Sequence, residues 1–342
     1  MSKVLTIRAD ADFVMGTGHL MRCLALGQAW KDAGGEVVFV TGCQSGELLR
    51  RLRDEGFKVH VLNAIYPNPH DWAFTRRILT AASPAWVALD GYHFDEIYQR
   101  RVKEDGHRLL VIDDLAHLPY YDADVILNQN CLAAEQRYLC EPSTCLLLGT
   151  QYILLRREFL QEKGFEREIP KVARKVLVTP GGSDPEGITL SILHAMEQAN
   201  IDGLEVKVVP GASNMQYEEL QGLVKQLSFK VWLERDVNNM AVLMAWADMA
   251  VIAAGGTLWE LLYKGTSIVS YARNALQEAI LSVLARSGSV VYLGRTEQLD
   301  LSALAFGLRR LAFSREVRQT MSRSGQALVD GKGTSRTLEV LL

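Results

Sequence analysis

One stretch of the 342-residue chain carries residue types that can do acid–base chemistry: Arg8-Ala-Asp10-Ala-Asp12-Phe-Val-Met-Gly16-Thr-Gly18-His19-Leu-Met-Arg22. Histidine is the side chain whose ordinary pKa lets it exchange a proton near neutrality. Gly16 and Gly18 precede it, and glycine lets the backbone turn tightly and approach a ligand without Cβ interference. An apolar run, Val4 to Ile7, leads into the stretch, and an amphipathic run, Leu20 to Trp30, leaves it. The segment therefore reads strand, loop, helix, with His19 at or near the first helical position. Unpaired N–H groups and the positive dipole end disfavour a cation there, which biases an imidazole toward the neutral form that a general base needs. A strand-to-helix turn with a surface histidine has the same local pattern, so the rest of the chain must decide between them.

Further candidates stand at strand ends. Trp86-Val-Ala-Leu-Asp90 ends in a carboxylate and is followed by Gly91-Tyr92, and Leu109 to Asp113-Asp114 ends in the same way. Ligands gather at the carboxyl ends of strands in open α/β sheets, so Asp90, Tyr92 and Asp113 either face a site or cap the following helices. Two Asp-Ala-Asp triplets, 10–12 and 122–124, have the form that can hold a divalent cation under a sugar-nucleotide diphosphate. The pattern is short enough to recur by chance, and no metal is assigned to either. Two glycine turns, Pro180-Gly181-Gly182-Ser183-Asp184-Pro185 and Ala254-Gly255-Gly256-Thr257-Leu-Trp-Glu260, each follow an apolar run and open a helix, a ready site for a diphosphate. Glu260 lies one turn into its helix, where a carboxylate can take both ribose hydroxyls. Simple capping competes in both places: Asp184-Pro185 as N-cap and first-turn proline, Thr257 and Glu260 as a capping box.

The elements that must position these residues alternate between apolar β-rich runs and helical patterns, which predicts an α/β fold with parallel sheets built from βαβ units. One series runs through strands at 36–41, 58–62, 86–90, 109–112, 125–127 and 146–149. A second starts at Lys175-Val-Leu-Val-Thr179 and continues at 205–209, 229–232, 249–253, 267–271 and 289–292. This places a first domain at 1–155, a hinge at 156–172, a second domain at 173–330, and a last segment, 331–342, packing back on the hinge.

Composition narrows the function classes. A net charge of −3 and a pI near 6.2 argue against nucleic acid as a partner. No apolar run approaches the roughly 20 residues that span a bilayer, and the N-terminus becomes charged too soon for a secretory signal. Five cysteines without Cys-x-x-Cys spacing read as reduced thiols of a cytoplasmic protein. No histidine–cysteine cluster suggests zinc. The opening strand also lacks the Gly-x-Gly-x-x-Gly of a dehydrogenase.

Taken together, the two series resemble the glycosyltransferase-B architecture, two Rossmann-like domains facing across a cleft with the donor nucleotide on the second. Particular stretches resemble the UDP-sugar hydrolases of bacterial pseudaminic acid biosynthesis and their spore-coat polysaccharide relatives. These are Arg8-Ala-Asp10, Gly16-Thr-Gly-His-Leu-Met-Arg22-Cys23, Ile112-Asp-Asp-Leu-Ala116, Leu127-Asn-Gln-Asn130, Leu148-Gly149 with Tyr152-x-Leu-Leu-Arg156, Pro180-Gly-Gly-Ser-Asp184 and Ala254-Gly-Gly-Thr257-x-x-Glu260. The resemblance spreads over most of residues 4–275. It implies inverting, metal-independent and cofactor-free hydrolysis of a UDP-linked diacetamido-trideoxy-altropyranose to UDP and free sugar. By the same resemblance His19 is the base that deprotonates water, with Arg8, Asp10, Gly16, Gly18, Asp90 and Tyr92 toward the sugar. Gly181, Gly182, Ser183, Gly255, Gly256 and Thr257 would hold the diphosphate, and Glu260 the ribose. The family's Asn-Gln pair near the sugar is split here as Asn274-Ala-Leu-Gln277, with Asn274 the candidate. The Gly-x-Gly-His loop also resembles the N-acetylglucosaminyltransferase that completes lipid II, which needs an apolar patch with a basic rim; Met15, Met21 and the helix bearing Arg50 to Arg53 are its weak candidates. A nucleotide-sugar-binding protein without turnover is a further alternative.

Overall fold

A computed structural model describes residues 3–161, 165–181, 184, 186–211, 216–235, 237 and 239–342. The chain divides into two compact units, Met1–Arg157 with Gly331–Leu342, and Glu158–Asp330.

The first unit is a seven-stranded sheet of β1 (Val4–Ala9), β2 (Glu36–Thr41), β3 (Lys58–Val61), β4 (Trp86–Asp90), β5 (Leu109–Ile112), β6 (Val125–Asn128) and β7 (Cys145–Leu148). Its order is β3-β2-β1-β4-β5-β6-β7, and the paired strands are parallel. The central strands β4, β5 and β6 are buried throughout, which is why they read as continuous apolar runs rather than alternating ones. Helices α1 (Gly18–Asp32), α2 (Gly46–Asp54), α3 (Asp71–Ala82) and α4 (Glu96–Glu104) connect them. Helix α1 buries Leu20, Cys23, Leu24, Leu26 and Trp30, an i, i+3, i+4 stripe that docks one helix face on the sheet. Helix α2 turns Leu49 and Leu52 inward and leaves Arg50 and Arg53 in solvent, so its basic run is a solvated face.

The short helix α5 (Arg157–Leu160) marks the boundary between the units. The second unit holds β8 (Lys175–Thr179), β9 (Glu205–Val208), β10 (Lys230–Leu233), β11 (Met249–Ala253), β12 (Ser267–Ala272) and β13 (Val291–Arg295), in the order β10-β9-β8-β11-β12-β13. Its helices are α6 (Ile188–Ala199), α7 (Tyr217–Val224), α8 (Met240–Trp246), α9 (Gly256–Tyr263), α10 (Ala275–Arg286), α11 (Leu301–Phe313) and α12 (Arg315–Leu328). Arg167, inside the expected hinge, is fastened to this unit. Its guanidinium donates to the carbonyls of Met244, Ala247 and Lys264 and to Thr266 Oγ1, and burial pushes its pKa down to about 10.

The last helix, α13 (Gly333–Leu341), belongs to the first unit. Trp86 Nε1 donates to the carbonyl of Leu341 at 2.6 Å, and Leu155 N donates to Thr334 Oγ1 at 3.2 Å. Gly333 starts the helix against the backbone of Ile153, where an added Cβ would lie 2.3 Å from the carbonyl oxygen. The Leu341 side chain is buried in the α1 core. Leu341→Ala should therefore destabilise the first unit by about 2–4 kcal/mol, read as a lowered urea midpoint followed by the fluorescence of Trp86, which bonds the Leu341 carbonyl. A loss below about 0.5 kcal/mol would make α13 a surface appendage.

Candidate active site

In both sheets the strand order reverses once, between β1 and β4 in the first and between β8 and β11 in the second. Such switch points open a crevice at the carboxyl ends of the strands, because the connections leave toward opposite faces.

At the first switch point the loop after β1 brings His19 to the end of β4. His19 is the second residue of α1, and Thr17 before the helix makes no side-chain cap. Gly16 has φ +77, in the left-handed region that favours glycine, and its N–H bonds the Asp12 carbonyl. Asp12 Oδ1 accepts from Val14 N and Met15 N, so this carboxylate folds the loop. Neither Gly16 nor Gly18 has an atom within 4 Å of where a Cβ would stand; the φ at Gly16, not crowding, requires glycine.

His19 Nδ1 lies 2.7 Å from Asp90 Oδ1. Asp90 is fully buried. Burial alone would raise its pKa, but Arg22 and His19 overcome that and hold it well below the usual carboxylate range. An ionised carboxylate has no proton to give, so Nδ1 carries the hydrogen, and whenever the ring is neutral Nε2 carries the lone pair. No described residue bonds Nε2. The other Asp90 contacts come from Arg22, whose Nε and Nη2 each donate at 2.7 Å, and from Cys23 Sγ at 3.4 Å. Arg22 Nη1 reaches Asp114 Oδ2 at 2.5 Å, and the Tyr92 hydroxyl donates to the same oxygen at 2.7 Å. Burial and then the Asp114 charge push the Tyr92 phenol far up, so it stays protonated. Its ring stands edge-on to His19, with centroids 4.7 Å apart.

Asp90, Tyr92 and His19 are thus brought together. Asp113 is not among them: it accepts from Leu115 N, Ala116 N and the hydroxyls of Tyr121 and Tyr138. Its neighbour Asp114 takes the place expected for Asp113, since successive side chains leaving a strand point to opposite sides. Arg22 was legible only as a residue one helical turn after His19, the spacing that puts two side chains on one face.

Arg8 and Asp10 do not reach a surface. Both, expected toward the sugar, are fully buried. Arg8 Nη1 pairs with Asp10 Oδ1 at 2.5 Å and Nη2 with Asp71 Oδ2 at 2.5 Å. Asp10 also accepts from Gly42 N and contacts His93 Nε2 at 2.9 Å. Burial would raise the Asp10 pKa, but His93 and Arg8 bring it down to about 2. This is a structural lock on the loops after β1, β2 and β4.

In the second unit, helices α6, α9 and α10 follow the adjacent strands β8, β11 and β12, so three helix N-termini share one sheet edge. Gly181 leaves β8 with φ +100; Gly182 and Ser183 lie outside the described residues. Asp184 accepts from Ile188 N, Thr189 N and Thr189 Oγ1, but Gly187 is the residue at the helix start. The N-cap expected at Asp184 is therefore at Gly187, and Pro185 lies outside the described residues. Helix α9 starts with Gly255 as N-cap and Gly256 first, which makes Thr257 the second helical residue and excludes the Thr257–Glu260 capping box. The N–H groups of Gly256 and Thr257 have no acceptor within the helix, and both glycines are exposed with nothing near a potential Cβ. Glu260 is half-buried on the next turn. Asn274 caps α10, accepting from Gln277 N at 2.9 Å, while Gln277 Oε1 accepts from Arg273 N at 2.8 Å. The three-residue split between Asn274 and Gln277 thus suits a reciprocal cap.

No family model matches the chain. The chain is 25% identical over 342 residues to the spore coat polysaccharide biosynthesis protein SpsG of Bacillus subtilis, covering 98% of this chain and 96% of that protein. An uncharacterized protein of Methanocaldococcus jannaschii is 26% identical over 284 residues, which cover 80% of this chain but only 56% of that relative's length. A UDP-N-acetylglucosamine–N-acetylmuramyl-(pentapeptide) pyrophosphoryl-undecaprenol N-acetylglucosamine transferase of Methylococcus capsulatus is 27% identical over 168 residues, 48% of this chain. Among solved structures, MurG of Acinetobacter baumannii matches with a TM-score of 0.67 over 100% of this chain and 99% of its own, at 15% identity. The rhamnosyltransferase SpnG, solved with thymidine diphosphate, matches at 0.64 over 98% of this chain and all of its own, at 14% identity. The fold is of the glycosyltransferase-B type, with two Rossmann-like parallel-sheet domains. Among the described residues no helix is long and apolar enough to cross a membrane.

The buried Asp10 lock has a pH signature. A depressed carboxylate stabilises the fold fully above its unfolded pKa, near 3.8, and loses that contribution as pH falls through about 2. Asp10→Asn should lower stability at neutral pH by about 2 kcal/mol and flatten the slope of stability between pH 4 and 2. Urea unfolding across that range checks it; an unchanged acid slope would mean that Asp10 titrates normally.

Proposed function

We propose that this protein hydrolyses a UDP-linked diacetamido-trideoxy sugar at the anomeric carbon, with inversion, releasing UDP and the free sugar. The observation that carries the reading is His19, whose Nδ1–H is held on ionised Asp90 while no described residue bonds Nε2. A water bonded to Nε2 gives its proton to that nitrogen as its oxygen attacks the anomeric carbon. The bond to the diphosphate oxygen breaks, and the electron pair leaves with UDP. Asp90 stabilises the imidazolium until the proton is returned to solvent. A positioned base of this kind contributes about 10²–10⁴-fold.

The leaving diphosphate fits the edge formed by Gly181, Gly255, Gly256 and Thr257. Bare N–H groups and the α9 dipole neutralise its charge there, and Glu260 is the candidate for the ribose. The reading needs no cofactor. The full-length likeness to a polysaccharide biosynthesis protein supports a place in sugar-nucleotide chemistry. The five free cysteines suit a reducing cytoplasm.

A second reading, transfer of the sugar to an acceptor hydroxyl, has one observation in its favour. The loop that carries His19 also exposes Phe13 and Val14, the latter 90% accessible, which gives an apolar acceptor somewhere to lie. The base chemistry is the same; only the nucleophile differs.

Turnover of the UDP-sugar in oxygen-labelled water with EDTA separates the readings. Hydrolysis yields UDP and free sugar together, with label on the anomeric oxygen. UDP release only after an acceptor is added would replace the hydrolase with a transferase. His19→Ala should lower kcat by about 10²–10⁴-fold with UDP affinity within twofold of wild type; full activity in that variant would remove His19 from the chemistry. Gly256→Asp should weaken UDP binding at least tenfold, by calorimetry, while the melting temperature holds or rises. A carboxylate in the first turn favours the helix but repels a diphosphate. Unaltered affinity would place the nucleotide elsewhere.

A further inference from the structure

Arg22 takes no part in the proton transfer itself, yet it makes most of the contacts around the base. Its guanidinium grips Asp90 with two nitrogens, each at 2.7 Å, and Asp114 with the third at 2.5 Å. Asp114 holds the Tyr92 hydroxyl, and the Tyr92 ring lies against His19. The contacts therefore form a closed circuit: His19, Asp90, Arg22, Asp114, Tyr92 and back to His19. Its residues come from α1, the end of β4, the loop after it and the segment after β5. With His19 neutral the circuit holds two carboxylates and one guanidinium, one net negative charge; protonation of His19 brings it to zero.

We propose that Arg22 is the positioning residue of this base, clamping Asp90 in line with His19 Nδ1 and offsetting part of its charge so that the imidazole releases its proton between turnovers. The proposal rests on the base role of His19. A planar guanidinium is well shaped for such a clamp, because two parallel N–H groups fix the plane of a carboxylate as a single ammonium does not. With Cys23 and His19 it fills the roughly four lone-pair sites of Asp90, so the carboxylate has no freedom to turn away.

The groups facing His19 are Asp90 from β4, Arg22 from its own helix and Tyr92 from the loop after β4. Asp114 stands behind Arg22, Cys23 behind Asp90, and His117 at the far edge of Tyr92. Arg22 Nη2 is 3.2 Å from His19 Nδ1, a cation beside the ring that must become one. Removing either end of the circuit therefore shifts the His19 titration in opposite directions. Arg22→Gln deletes the nearby cation and should move it up. Asp114→Asn deletes a carboxylate that balances Arg22 and should move it down.

The test is the titration of His19 by NMR on histidine-labelled protein, assigned by the signal lost in His19→Ala, beside the acid limb of the pH profile of kcat/KM. The expected result is the opposed pair of shifts, with kcat reduced at least tenfold in Arg22→Gln and UDP affinity unchanged. Arg22→Lys keeps the charge without the fork, so its His19 should titrate near the wild-type value while kcat remains about tenfold low. Unshifted titrations in folded Arg22→Gln and Asp114→Asn, or wild-type kcat in Arg22→Lys, would overturn the proposal. If Arg22→Gln does not fold, Asp114→Asn and Arg22→Lys decide. The two ideas fail separately: active His19→Ala sinks the base, whereas the titrations judge Arg22 whatever the turnover.

Discussion

The Asp90 carboxylate is the constraint around which the first unit is arranged. A charge with no access to water is tolerated only when it is paired and fully hydrogen-bonded. Asp90 is at the end of a central strand, with Arg22, His19 and Cys23 converging on it from one helix. Those three residues lie within five positions of α1, so the start and rotation of that helix are set by one carboxylate 71 residues away. Gly16 and the Asp12 turn then follow as the means of bringing the helix start to the end of β4. A shift of one residue in the helix would turn its polar face about 100° away, leaving Asp90 buried and unpaired.

A second buried charge cluster, Arg8 with Asp10 and Asp71, sits at the same sheet edge, and one loop serves both. Tyr92 goes to Asp114 and His19, while the next residue, His93, goes to Asp10. Gly91 makes that divergence feasible, since a Cβ there would lie 2.4 Å from the His93 ring. The Arg8 cluster is buried, although His93 Nδ1 at its edge has no hydrogen-bond partner among the described residues. It fixes the loop conformation through Gly42, Asp71 and Tyr98, and the same loop holds Tyr92 against the His19 ring. Preorganisation of this sort is what allows a base to act without moving at the moment of reaction.

Local pattern carried part of this, and tertiary pairing carried the rest. The alternation of apolar runs and helices predicted two parallel-sheet series, because a strand buried on both faces cannot hide its composition. The Gly16–His19 turn and the Gly255–Gly256 helix start were visible for the same reason: special backbone and exposed N–H groups demand particular residues. The pairing of His19 with Asp90 was not visible, because nothing local distinguishes a carboxylate that caps a helix from one that meets a distant ring. Asp113 and Asp114 show the same limit. One binds tyrosines and turn amides and the other binds Arg22, and only the exit geometry of β5 chooses between them. Thr257 and Glu260 had capping-box spacing, yet the helix begins two residues earlier than that box requires. Arg8 and Asp10 were singled out by resemblance alone, and nothing local showed that mutual neutralisation would let both be buried.

Charge divides the labour between the two units. The His19 circuit holds Asp90 and Asp114 against a single guanidinium, so its field favours a cation over an anion. At the edge of the second sheet the balance is reversed. Helix N-termini and unpaired N–H groups stand at Gly256 and Thr257, where burying an anion costs least. A base works best where the proton it gains is the charge most needed, and a leaving diphosphate departs most easily where its developing charge is met by fixed dipoles. Placing both functions in one cluster would set them against each other, since the cations that hold a diphosphate would also suppress the basicity of the imidazole. Each sheet has its own switch point, and the polar groups gathered at the two are of opposite kind: carboxylates around one guanidinium at the first, helix N-termini at the second.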